Sequence, residues 1–193
     1  KGLRKAEKIN YDHGYGKLLR DKALLSWHDG EFEEAVEYME KAIKIFDENM
    51  IREEEASSYK NLGDIHGEIG VYQKSIEYYK KSVNLYEKIG KEYESINVLM
   101  NIGVMYSIND EWQKAAEYYE KSQRLADKEN LPNTKAWALF NLGESYLNMQ
   151  KYVASESAFK GALDLFEEQD DDYGTSGVKM KYGKLLFEMG ELK

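Results

Sequence analysis

The chain has 193 residues with one proline, no cysteine, 27 Lys+Arg against 36 Asp+Glu, and a formal net charge of −9. That balance argues against a general nucleic-acid binder, whose affinity for phosphate backbones comes from Lys and Arg displacing counterions, and the missing cysteine excludes disulfides, thiolate metal sites and a cysteine nucleophile. With 42% hydrophobic and 33% charged residues the chain can form a core, and no apolar run approaches the roughly 20 residues that span a bilayer. No charged segment followed by an apolar one opens the chain. The absence of cysteine fits either redox compartment, and a cytoplasmic location is expected.

The sequence returns on itself every 40 residues. Asn61-Leu62-Gly63 recurs as Asn101-Ile102-Gly103 and Asn141-Leu142-Gly143. Phe32, Tyr72, Trp112 and Tyr152 keep the same interval, as do Ala35, Ser75, Ala115 and Ser155, and Ala42, Ser82, Ser122 and Ala162. A fixed period of this size marks a stacked repeat.

In chain order, Lys1-Gly2-Leu3-Arg4 lines up with Lys41-Ala42-Ile43-Lys44, so residues 1–12 read as the end of a preceding repeat. Repeat 1 covers 13–50 and turns at Gly30. In repeat 2, residues 51–90, Tyr59, Leu62, Ile65, His66 and Ile69 recur at helical spacing, Gly70 breaks the run, and Tyr72, Ile76, Tyr79, Val83 and Tyr86 mark a second helix. Repeat 3, residues 91–130, turns at Asn109-Asp110, and Pro132 opens repeat 4, residues 131–170. Residues 171–193 are the first helix of a fifth repeat. The expectation is about nine helices plus a partial N-terminal one, cut from a longer array, with Leu3 at one end and Leu185, Leu186 and Phe187 at the other exposed. Glycine inside a helix costs roughly 1 kcal/mol. Repeating it at Gly63, Gly103 and Gly143 predicts close packing of one helix backbone against its neighbour.

The order large apolar, Leu-Gly, aromatic, then Ala, aromatic, Ala resembles the tetratricopeptide repeat. In the third unit it reads Leu99, Ile102-Gly103, Tyr106, Ala115, Tyr119 and Ser122. The resemblance covers essentially the whole chain, with two departures: the period is 40 instead of the usual ~34, and the proline that often ends a unit is missing. Such longer repeats are similar to those of bacterial and archaeal signalling proteins and of polarity and motor adaptor scaffolds. The resemblance implies an all-α fold, a right-handed α-solenoid of antiparallel helix pairs whose first helices line a concave groove. It also implies a protein-interaction module, without naming the partner.

Let Gly63, Gly103 and Gly143 hold the eighth place of each unit. Places four, seven, eight and eleven then face the core (Tyr59, Leu62, Gly63 and His66 in repeat 2; Leu139, Leu142, Gly143 and Tyr146 in repeat 4). Places two, six, nine and thirteen form another stripe of the same helix, with place five alongside. By the resemblance that stripe lines the groove. Place six holds Asp21, Asn61, Asn101, Asn141 and Lys181. Asparagine is a poor helix-interior residue, yet its amide both donates and accepts, so a ladder of Asn61, Asn101 and Asn141 suits the main chain of a bound peptide. The alternative is that these asparagines bond to the adjacent helix and only stabilise the stack. Lys17, Arg20 and Lys60 make one zone of the stripe basic. Asn97 shares the stripe, which then turns apolar through Met100, Val104, Ile108, Trp137, Phe140 and Met180, with Asp64 and Glu144 adding acid. Packing of Trp137 against the previous hairpin is the alternative to its exposure. The expected ligand is a protein segment, extended or helical, with one or two apolar anchors and an acidic flank.

Nothing polar converges in a catalytic constellation, and no enzyme activity, cofactor, nucleic-acid or membrane partner is expected. His13, His28 and His66 lack metal-motif spacing; His66 occupies a core slot, and His28 sits near a helix end. The run Glu167-Glu168-Gln169-Asp170-Asp171-Asp172 lacks the ligand pattern of a calcium loop and suits the start of the next helix. The repeated Glu-Tyr-Tyr-like segments at 37–39, 77–79 and 117–119 follow the period and read as structural. Two further functions stay open: the sensory input region of a larger signalling protein, and a self-assembly element joined through its ends.

Overall fold

A computed structural model describes residues 2–190, with side chains from residue 11 onward. Among these residues nine α-helices and no strands occur: α1 Gly2–His28, α2 Phe32–Glu48, α3 Arg52–Glu68, α4 Tyr72–Lys88, α5 Glu92–Ile108, α6 Trp112–Lys128, α7 Pro132–Asn148, α8 Tyr152–Glu168 and α9 Asp172–Glu188. From α2 onward every helix has 17 residues, about 26 Å of helix. The chain divides into two compact units, Lys1–Val98 and Leu99–Lys193, with the boundary inside α5. In the first unit α1 packs on α2, α2 on α3 and α3 on α4; in the second α6 packs on α7, α7 on α8 and α8 on α9.

The turns explain the regularity. At the end of α3, Val71 N–H donates to the His66 carbonyl (2.8 Å) and Gly70 N–H to that of Gly67 (3.1 Å). This paired closure satisfies the last carbonyls of a helix and requires a left-handed residue between them. Gly30, Gly70 and Asp110 take that role inside the hairpins, as the sequence predicts, with φ of 80°, 78° and 58°. Met50, Gly90, Asn130 and Asp170 do the same between hairpins. Asp171 then caps α9, its carboxylate accepting from Gly174 N–H at 2.9 Å, so the aspartates at 170–172 start a helix as expected.

Near the N-terminus the architecture departs from the expected one. Residues 1–12 were expected to close a separate preceding helix, yet α1 runs unbroken from Gly2 to His28. Asn10 stands one period before Met50, where a turn would fall. No earlier hairpin among the described residues demands one there, and Lys-Ala-Glu-Lys at 5–8 favours continued helix.

The glycine slot works differently from the expected backbone contact. A Cβ on Gly63 would lie 2.4 Å from Tyr79 Cδ1, one on Gly103 2.4 Å from Tyr119 Cε1, and one on Gly143 2.6 Å from Phe159 Cδ1. What needs the room is an aromatic ring of the second helix, sixteen residues on. Ser75 and Ser155 tie the same crossings, donating to the Gly63 and Gly143 carbonyls at 2.7 and 2.8 Å. In repeat 1 the slot holds Ala23 and the facing place holds Met39, both fully buried. A thinner, flexible partner there accompanies the extra methyl.

Met39, Tyr79 and Tyr119 fill the core, while Tyr38, Tyr78 and Tyr118 lie half-buried at its edge, as the period implied. His66 is buried and stacks on Tyr78 with ring centroids 5.2 Å apart. Burial, with the Lys74 ammonium adding to it, pushes its imidazole below the usual histidine range. Leu62, Gly63, Leu142 and Gly143 are buried, whereas Tyr59, Leu139 and Tyr146 are only half so. Of the expected exposed residues at the far end, Phe187 is exposed, Leu186 half-buried, and Leu185 fully buried among Phe159, Phe166 and Val178. Leu3 lies outside the described side chains.

Candidate functional site

The first unit carries the basic zone, and it is already occupied from within. Lys17 and Arg20 reach from α1 to a single carboxylate on α3, Glu54. Lys17 Nζ lies 2.9 Å from Oε1, Arg20 pairs with Oε2, and His13 Nε2 is 3.3 Å from Oε1. Burial raises the Glu54 carboxyl, but hydrogen bonds from Lys17, Arg20 and His13 outweigh it and hold the group down at about 2. Lys60 pairs with Asp64 at 2.7 Å, and Asp64 also accepts from the Tyr79 hydroxyl at 2.7 Å. The three cations expected to meet an acidic flank are therefore engaged by the protein's own carboxylates. Glu54 lies one helical step before place two of α3 and so continues that stripe of the helix; following the stripe one turn further would have found it.

The asparagines stand half-exposed on their helices: Asn61 on α3, Asn101 on α5 and Asn141 on α7. Among the described residues the side chains of Asn61 and Asn141 have no hydrogen-bond partner. On α5, Asn97 and Val104 are exposed, Met100 is half-buried, and Ile108 is exposed at the helix end.

In the second unit Trp137 and Phe140 behave partly as core and partly as surface. Trp137 packs edge-on against buried Phe166, with centroids 4.9 Å apart at 68°, and Phe140 lies 6.1 Å from buried Phe159. Their outer sides line a pocket of about 340 Å³ between α7 and α9, together with Tyr173, Ser176, Gly177 and Met180. Tyr173 is 80% exposed and Met180 67%. Gly177 takes place two of α9, where Lys17, Asn97 and Trp137 stand in other repeats. A Cβ there would meet nothing within 4 Å, so the missing side chain leaves this wall open. Beside the pocket Glu144 pairs with Lys181 of α9. Met180 was legible as a stripe residue. Tyr173 and Ser176 were not, because their part in the pocket depends on how α9 is rotated against α7, and Gly177 holds a stripe place but carries no side chain to mark it. Concave, mostly apolar sites with a few polar groups are where ligands bind, and half-exposed aromatics are common anchors.

A family model described as "Tetratricopeptide repeat" matches residues 14–88, 54–128 and 94–168 in overlapping pairs of repeats. No curated protein sequence matches the chain significantly. Among solved structures, BtubC (BKLC) from P. vanneervenii is similar at 22% identity and TM-score 0.71, over 80% of this chain and 64% of that one. The apo form of RapI is similar at 15% identity and TM-score 0.78, over 88% of this chain and 49% of that one. A putative kinesin light chain from Podosopora anserina, with nearly identical TPR-like repeats, is similar at 14% identity and TM-score 0.75, over 91% and 87%. The chain thus spans less than two thirds of the first two. At these identities the likeness concerns the fold.

Proposed function

Since the chain belongs to the tetratricopeptide repeat family, whose arrays are protein-interaction scaffolds, we propose that it binds a peptide segment of a protein partner on the stripe of its first helices. The α7/α9 pocket receives an anchoring side chain, and in the second unit the carboxamides of Asn101 and Asn141 grip main chain; Asn61 offers the same group within the first unit. The observation that carries this reading is the open pocket of Trp137, Phe140, Tyr173 and Met180, with the uncommitted carboxamide of Asn141 one turn along α7 from Trp137. Asn97, Met100 and Val104 hold the corresponding places of α5, while Lys17, Arg20 and Lys60 in the first unit and Glu144 in the second each shape their own surface through ion pairs.

The test is selection of a random peptide library on the whole chain, followed by titration of the best binder into Asn141→Ala. Losing one donor and one acceptor predicts about ten-fold weaker binding at unchanged thermal stability. Unchanged affinity, or a large loss of stability, refutes the grip.

Self-association is a second reading with an observation of its own. Tyr11, Tyr15, Leu18 and Leu25 form an exposed stripe of α1, with Leu18 53% and Leu25 61% accessible. The matching places Ser58 and Ile65 of α3, and Ala138 and Ser145 of α7, are fully buried. A mass that rises with concentration in light scattering would favour this reading; a constant monomer mass would exclude it.

A further inference from the structure

We propose that the α7/α9 pocket takes a cationic side chain, arginine or lysine, so that the segment bound there is basic. This inference rests on the peptide-binding reading above and gives the anchor its chemistry.

The first support is that six of this protein's tyrosine rings already hold a cation. Lysine ammoniums sit 4.9–5.9 Å from the ring centroids of Tyr38, Tyr59, Tyr78, Tyr106, Tyr118 and Tyr146. An aromatic face carries negative potential and attracts a cation at this range. Among the described residues Trp137, Phe140 and Tyr173 have no such ammonium. Phe140 and Tyr173 are inclined to Trp137 by 89° and 43°, with centroids 5.8 and 5.9 Å away. Rings so inclined do not cover one another by stacking, and the Met180 thioether completes an uncharged, polarisable wall.

The second support is charge. No ionisable cation or carboxylate lines the pocket. The nearest lysines on α9 are engaged, Lys181 by Glu144 and Lys179 by Glu167 at 2.9 Å. Leading into Tyr173, Asp164, Glu167, Glu168, Asp170, Asp171 and Asp172 place six carboxylates within nine residues and no cation. Asp171 is spent on its helix cap, while Asp164, Asp170 and Asp172 are exposed. An uncharged aromatic pocket beside the exposed carboxylates of Asp164, Asp170 and Asp172 complements an apolar stem that ends in a positive charge. The neutralised basic zone of the first unit offers no matching pull on an acidic segment.

The experiment titrates the whole chain with three probes, acetyl-Gly-Arg-Gly-amide and its Leu and Glu counterparts, and reads the Trp137 indole N–H and Met180 methyl signals by NMR. The arginine probe should move both signals saturably. Its affinity should fall several-fold between about 50 and about 300 mM salt, and about three- to five-fold in Tyr173→Leu, which keeps an apolar wall but removes the ring. Tyr173 is exposed, so this variant leaves the core intact. If the leucine probe binds as well as arginine, without salt dependence and equally in Tyr173→Leu, the cationic assignment is overturned while the apolar-anchor reading stands. If no probe moves either signal, both are overturned.

Discussion

Replacing Gly143 by alanine probes the packing rule shared by the hairpins of repeats 2, 3 and 4. The new Cβ would fall 2.6 Å from Phe159 Cδ1 and 2.7 Å from Cε1, whereas carbon contacts settle near 3.5–4.0 Å. The ring must retreat by about 1 Å, and it is fully buried, with Phe140 and Tyr182 beside it. Overpacking of this kind costs about 1–3 kcal/mol, and the better helix propensity of alanine returns about 0.5–1. The net expectation is a loss of about 0.5–2 kcal/mol. Gly177→Ala, where nothing lies within 4 Å, should instead gain about 0.5–1 kcal/mol. Repeat 1 holds the relieved version in Ala23 and Met39, so Gly143→Ala combined with Phe159→Met should be non-additive, with about 1 kcal/mol recovered. Urea unfolding followed by circular dichroism measures the parent, Gly143→Ala, Gly177→Ala, Phe159→Met and the double variant, provided the m-value stays constant. A Gly143→Ala protein as stable as the parent, or a strictly additive double variant, refutes the reasoning.

Glu54→Gln removes the carboxylate that Lys17, Arg20 and His13 share. A carboxyl held at about 2 is worth near 3 kcal/mol by linkage, screened in this partly open cluster to about 1–2. The folded value is depressed, so this stability is complete above the unfolded value near 4.3 and disappears as pH falls toward 2. The gap between the parent and Glu54→Gln should close over that window in pH-dependent urea unfolding, and a pH-independent gap would contradict it. Burial pushes the Tyr119 phenol up to about 12, against a Ser107 hydrogen bond and aided by the Glu144 charge. Its contribution is complete below the unfolded value near 10 and lost as pH rises to about 12. The phenolate absorbance missing from Tyr119→Phe should therefore lie near the upper end of that range; absorbance missing around pH 10 would contradict the burial.

The repeat was legible because its cause is local and recurs: small or left-handed residues at Gly30, Gly70 and Asp110, and a glycine at places 63, 103 and 143. The identity of the group above that glycine was not, because a backbone and a ring demand the same space from a sequence point of view. Helical spacing placed Trp137, Phe140 and Met180 on one stripe, and all three line the α7/α9 pocket. Lys17 and Arg20 were legible as neighbours on α1 but not as partners of Glu54, since that contact crosses from one hairpin to the next. Tyr173 and Gly177 carried no signal of their own; one is a surface tyrosine and the other a place without a side chain until α7 is set beside α9.

The most direct test of peptide binding at the α7/α9 pocket is calorimetric titration of a library-selected peptide into the parent and into Gly177→Leu. A Cβ at 177 meets nothing within 4 Å at the pocket wall, so a leucine there should occupy the pocket. Binding should weaken about ten-fold or more, with thermal stability unchanged or slightly raised. An affinity equal to that of the parent would place the ligand elsewhere and contradict the account.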